Sequence, residues 1–135
     1  MRLKFEQSKV RISSSGGKQP INVRVKRGQL EQVLLNLLLN AVQAMPQGGA
    51  IAIRSYLDHS GGNPIAVTEI SDTGPGIPKA SQKKIFESTL LEKTDREGLG
   101  LNIVKRIMTS HQGDIEIVSS SSSGTTFKIW LPAGT

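Results

Sequence analysis

The chain has no cysteine, which excludes disulfides, thiolate nucleophiles and cysteine-ligated metals. A reducing compartment fits that absence. Aromatic residues make up only 4% of the 135 residues, so the core has to be aliphatic. No run is long and apolar enough to cross a bilayer. The start, Met1 to Glu6, lacks the apolar centre of a signal peptide. The expectation is a cytoplasmic protein without direct membrane contact. Acidic residues are outnumbered, 11 against 17 Lys+Arg, for a net charge of +6. Such a surface admits nucleic acid, but no basic block is interleaved with aromatics. A basic surround for a phosphate-bearing ligand is the simpler reading, and no nucleic-acid partner is expected.

Residues 1–135 are expected to form a single domain with one core. Leu3 to Ile12 alternates as a strand, Ser13 to Gln19 reads as a Ser/Gly turn region, and Ile21 to Val25 reads as a second short strand. Gln29 to Met45 is the strongest helix. Leu30, Val33, Leu34, Leu37, Leu38, Ala41, Val42 and Met45 keep the helical rhythm, and Leu35 and Leu39 widen the apolar surface, so burial on most sides is expected. Pro46, Gly48 and Gly49 stop it. Ile51 to Leu57 and Ile65 to Ser71 suggest an antiparallel hairpin. A short helix over Lys79 to Glu87 and a loop over Ser88 to Glu97 follow. A second helix runs from Gly100 to His111 and is ended by Gly113. Ile115 to Val118 and Thr126 to Leu131 form a closing hairpin around a flexible Ser119 to Ser123 loop. Strands and helices mix without regular βαβ alternation. The expected class is α+β: a two-layer sandwich of a mixed, mostly antiparallel sheet with about three helices on one face.

Three patches carry chemistry. On the first long helix, Gln29, Gln32, Asn36, Asn40, Gln43 and Gln47 fall in one stripe of neutral amides. A solvated stripe would normally use Lys and Glu, which favour helices more than Asn does. Asn36 and Asn40 could offer carbonyl oxygens to a hard cation such as Mg²⁺. From the helix alone, a polar packing contact is the commoner explanation. The second patch is Asp72-Thr-Gly-Pro-Gly-Ile77, just past a strand. Gly74 and Gly76 let the backbone approach a flat ligand, and the Asp72 carboxylate can accept from an exocyclic amine. An ordinary Asx turn would leave the same trace. The third is Gly98-Leu99-Gly100-Leu101 opening a helix, where free N–H groups can meet an anion. Lys83, Lys84, Lys93 and Arg96 lie in or beside the preceding loop. His111 reads as a helix-end dipole partner.

The order of these patches resembles the catalytic, ATP-binding domain of sensor histidine kinases, in the superfamily that also holds type II topoisomerase, heat-shock 90 and mismatch-repair ATPases. Gln32 to Ala44 resembles the N box, Asp72 to Ile77 the G1 box, Ile85 to Glu87 the start of the F box, and Gly98 to Leu101 the G2 box. His111 to Ile115, Gly124 to Phe127 and Leu131-Pro132 are similar to the family's closing elements. The resemblance implies that Asp72 binds the adenine amine, with Gly74, Gly76 and Ile77 around it and Thr126 supporting the base edge. It implies that Asn40, with Asn36, coordinates Mg²⁺ on the phosphates. Gly98, Leu99, Gly100 and Leu101 would face the phosphates, and Lys93 would be a further phosphate contact. The related ATPases and anti-sigma serine kinases place a Glu base where Asn36 stands, and an amide cannot take that proton. The implied activity is γ-phosphoryl donation to a histidine on a separate helical domain, with a response regulator downstream. A stand-alone serine kinase or a non-catalytic nucleotide-binding module are the alternatives. No hairpin carrying a phosphoacceptor histidine is recognisable, so the chain is expected to be a fragment or an isolated catalytic domain. The family's F box continues differently from Ser88-Thr89-Leu90, Arg96 stands at a usual glycine, and Gln43 stands where relatives often carry Lys.

Overall fold

The computed structural model describes residues 10–16, 21–82, 84–86 and 100–134. In chain order these form β1 (Val10–Gly16), α1 (Arg27–Gln43), β2 (Gly49–Asp58), β3 (Ile65–Asp72), α2 (Lys79–Gln82), a 3₁₀ turn (Lys84–Phe86), α3 (Leu101–Ser110), β4 (Asp114–Ser121) and β5 (Gly124–Pro132). The strands make one five-stranded sheet in the order β1-β2-β3-β5-β4. β1 runs parallel to β2, and the other neighbours are antiparallel. This is the mixed α+β architecture expected.

Helix α1 forms because its apolar positions recur on one side. Val33, Leu37, Ala41 and Val42 are buried there, with Leu34 and Leu38 packed beside them. No side chain caps its N-terminus at Lys26, so tertiary burial has to hold it. Its buried stripe meets Leu101, Val104, Ile107 and Met108 of α3 and the inner sheet residues Ile51, Ile70, Ile115, Phe127, Ile129 and Leu131. Each fully buried aliphatic of this kind contributes about 1.5–3 kcal/mol. The 3₁₀ turn docks through Phe86, edge-on to Phe127 at 6.2 Å between ring centres.

Several local expectations change. Ser13, Ser14, Ser15 and Gly16 are not a turn; they extend β1 along Ala52–Ser55 of β2, because backbone pairing overrides the weak preference of serine for turns. The segment around Val23 is not a strand but a single bridge to Ala133. Leu35 and Leu39 of α1 are only half-buried, so α1 is covered on one side and its shoulders rather than all round. Helix α3 is closed by Gln112 in the left-handed region, at φ 66°, with the Gly113 N–H returning to the Met108 carbonyl at 2.8 Å. His111 Nδ1 lies 2.8 Å from the Ile107 carbonyl at that helix end. The serine run is mostly strand: β4 continues to Ser121 and only Ser122 and Ser123 turn. Leu3, Lys83, Lys93, Arg96, Gly98, Leu99 and the loop expected at Ser88 to Glu97 lie outside the described residues.

Candidate functional site

The site is built at one end of the inner sheet face, beside the C-terminal half of α1. The strand period puts Asp72 on the same face as buried Ile70. Its partner across the β3–β5 ladder is Thr125, and Thr125 in turn pairs with Ser120 of β4. A polar row therefore ends the face: Asp72, Thr125, Ser120. The register shifts between Ile117 and Ser119, leaving Val118 as an extra residue. That bulge brings Ser120, rather than Ser119, opposite Thr125.

The glycine turn after β3 is tied at both ends. Gly74 donates its N–H to Asp72 Oδ1 at 2.8 Å and packs near the Ala44 carbonyl at the end of α1. Thr73 Oγ1 accepts the Ala50 N–H at 3.1 Å. Gly76 has φ 85° and lies against the Ser121 carbonyl, where any side chain would collide. Ile77 donates its N–H to Ser120 Oγ at 2.8 Å, and Ser120 Oγ lies 3.1 Å from Thr125 Oγ1.

Across the site, α3 starts at Gly100, which is buried and has φ 85°. A Cβ there would come within 2.6 Å of Asn36 Nδ2. Only glycine lets the start of α3 settle on the amide stripe of α1. Leu101, next in sequence, turns its side chain into the core, at 2% exposure. Asn40 is half-buried, one helical turn from Asn36 and one from Ala44, between the two places where other elements touch α1. Among the described residues no group of three or more His, Asp or Glu side chains could hold a metal. The donors present are amide oxygens. These suit a hard cation that completes its shell with phosphate and water.

Thr126 does not join this arrangement. It sits on the outer face of the sheet, its hydroxyl 2.8 Å from that of Ser71. Thr125 is the threonine that shares the face of Asp72. The signal was in the sequence: Thr125, Phe127, Ile129 and Leu131 share one face by alternation, and all four are buried.

The match to the family described as histidine kinase-, DNA gyrase B-, and HSP90-like ATPase covers residues 25–135. The chain belongs to this family. Among its relatives, the signal transduction histidine-protein kinase AtoS of Escherichia coli (strain K12) is 42% identical over 113 residues, covering 84% of this chain and 18% of AtoS. The chain thus spans under a fifth of that relative. The nucleotide-free catalytic domain of histidine kinase ThkA aligns with a TM-score of 0.83 at 27% identity, covering 97% of this chain and 84% of that one. Full-length ShkA in complex with AMPPNP gives a TM-score of 0.82 at 26% identity, covering 98% of this chain and 27% of ShkA. The structure is thus that of a histidine kinase catalytic domain.

In this kinase domain burial perturbs the carboxyl that ends the inner sheet face. Burial raises the Asp72 carboxyl above its ordinary 3.8, and the backbone N–H groups of Gly74 and Thr125 pull back against that rise. An acid held in a half-buried place by backbone donors, with no ion pair to it among the described residues, has acceptor capacity left for a ligand. Phe86 anchors the segment before the undescribed residues, and Lys105 crosses over its ring while pairing with Asp114 at 2.7 Å.

Proposed function

We propose that the domain binds Mg·ATP on the inner face at the Asp72 end and donates the γ-phosphoryl group to a histidine on a separate helical domain, in a two-component pathway that ends on a response regulator. The observation that carries this reading is the half-buried Asp72, fixed by two backbone N–H groups at the end of the inner sheet face, with no ion pair to it among the described residues. Asp72 accepts the adenine 6-amino group. Thr125, not Thr126, stands beside it to meet the neighbouring base edge. Gly74, Gly76 and Ile77 form the wall along the base. Gly100 and Leu101 offer the first backbone N–H groups of α3 toward the phosphates. Lys93, Gly98 and Leu99 take the phosphate-facing roles that the family resemblance implies. Asn40, with Asn36, would hold Mg²⁺, which when bound neutralises phosphate charge.

Transfer forms a bond from the attacking histidine nitrogen to the γ-phosphorus as the bond to the β,γ-bridging oxygen breaks, and ADP leaves. Positioning and charge neutralisation supply most of such catalysis. Asn36 supports transfer over hydrolysis, because its amide cannot deprotonate water. The same substitution disfavours the stand-alone serine kinase. A cytoplasmic location follows from the same reading, since ATP and the receiver are cytoplasmic.

Calorimetry with ATP, with and without Mg²⁺, tests the site. Asp72→Ala should abolish binding with the fold intact. Asn40→Ala should weaken binding more when Mg²⁺ is present than when it is chelated, and equal losses would remove the metal role. Radiolabelled ATP mixed with a histidine kinase helical hairpin tests transfer. A protein that binds ATP and labels no hairpin is a binding module.

A further inference from the structure

The polar row holds one residue that the nucleotide reading leaves without a task. Ser120 receives the Ile77 N–H at 2.8 Å and lies 3.1 Å from Thr125 Oγ1. Thr125 is only 3% exposed and is the ladder partner of Asp72. The bulge at Val118 is what delivers Ser120 to this place. Among the described residues no other side-chain hydrogen bond to Thr125 Oγ1 is present.

Cooperativity along the chain favours one direction for the three groups. A hydroxyl has one proton and two lone pairs. The Ile77 N–H occupies one lone pair on Ser120, and an oxygen that accepts a hydrogen bond becomes a stronger donor. Either hydroxyl can donate in this pair; the orientation that continues the chain from Ile77 has Ser120 give its proton to Thr125 Oγ1. The proton of Thr125 is thereby freed from Ser120 and can point to a ligand beside Asp72. The next atom along the adenine edge from the 6-amino group is the ring nitrogen N1, an acceptor. Guanine presents the reverse pattern, with an acceptor at position 6 and a donor at N1.

We propose that Ser120 is a positioning residue of the nucleotide site: it fastens the end of the glycine turn and holds the Thr125 hydroxyl as a donor aimed at the adenine N1. The inference rests on the nucleotide reading above. Asp72 then reads the amine while the relay from Ile77 through Ser120 to Thr125 reads the adjacent acceptor, and together they select adenine.

The test compares ATP with 1-deaza-ATP, which keeps the amine and replaces N1 by carbon, on wild-type protein, Ser120→Ala, Ser120→Thr and Thr125→Val. Wild type should prefer ATP. Ser120→Ala should lower ATP affinity about three- to tenfold, the scale of one hydrogen bond, and leave the analogue within about twofold of wild type. Thr125→Val should reproduce that selective loss, and Ser120→Thr should keep the wild-type preference. A structural role alone would weaken both ligands equally, and that result overturns the proposal. So does wild type that binds both ligands alike, or Ser120→Ala that changes neither. Wild type that binds neither ligand defeats the nucleotide reading itself, a distinct failure. Thermal melts of each variant identify any loss due to unfolding, and Thr125→Val carries the test if Ser120→Ala does not fold.

Discussion

The two ends of the inner sheet face are built on the same strands and serve opposite ends. At the far end, Ile129 and Leu131 of β5 close against Val33 of α1 and Met108 of α3, all buried and aliphatic or thioether. The polar pair there, Ser55 and Thr68, satisfies itself at 3.1 Å. At the near end the same β3 and β5 carry Asp72 and Thr125, and the partners are glycines, backbone N–H groups and amides. One end spends its side chains on each other. The other keeps an acid half-buried, in an environment that disfavours its charge. On the proposed reading, stability and binding are separated by less than the length of one strand, and substitutions at the two ends should fail in different ways.

The largest effect belongs to the far end and α1. Leu37→Ala, at 2% exposure, should destabilise the domain by about 2–5 kcal/mol in chemical denaturation, while the protein that remains folded binds ATP nearly as before. Asp72→Asn should do the converse. ATP affinity should fall on the order of ten- to a hundredfold, as for a hydrogen bond to a charged acceptor, while the melting temperature at neutral pH holds or rises. The sign follows from the raised carboxyl pKa. The folded state keeps its proton to higher pH than the unfolded chain, so stability from this group falls as pH climbs from 3.8 through the raised value. The asparagine variant escapes that loss, and its advantage over wild type should grow from acid to neutral pH in parallel melts. An advantage that shrinks over that range would break the contrast between the two ends.

A finer cut uses adjacent threonines. Thr125→Val should weaken ATP binding about three- to tenfold, whereas Thr126→Val, on the outer face beside Ser71, should leave it unchanged in the same titration. The smallest effect is expected on that outer face. Glu116 approaches Lys128 at 3.7 Å with 57% of its side chain exposed, and Glu116→Ala should shift stability by less than about 1 kcal/mol.

What could be read from the chain follows the same division. The α1 stripe, the β2–β3 hairpin and α3 declare themselves because burial imposes a period on Val33, Leu37, Ala41 and on Val104, Ile107, Met108. The Asp72 turn and Gly100 were legible because so few residues fit a left-handed or crowded backbone. The resemblance implies Thr126, whereas the register of β5 puts Thr125 on the Asp72 face and Thr126 on the other. β1 was lost at Ser13 to Gly16 for a related reason: serine and glycine signal turns locally, and only the neighbouring β2 backbone makes them strand. Ser120 had no local mark at all. Its position depends on the bulge at Val118, and one serine among five carries no sequence trace of register.

The scarcity of aromatics gives the domain a built-in optical reporter. The single tryptophan, Trp130, pairs with Val67 on the outer face, five residues along β5 from Thr125 but on the reverse side of the sheet. Its emission should shift when the sheet comes apart and stay almost constant as nucleotide fills the inner face, so one fluorimeter cuvette can tell a destabilised variant from one that has merely lost its ligand.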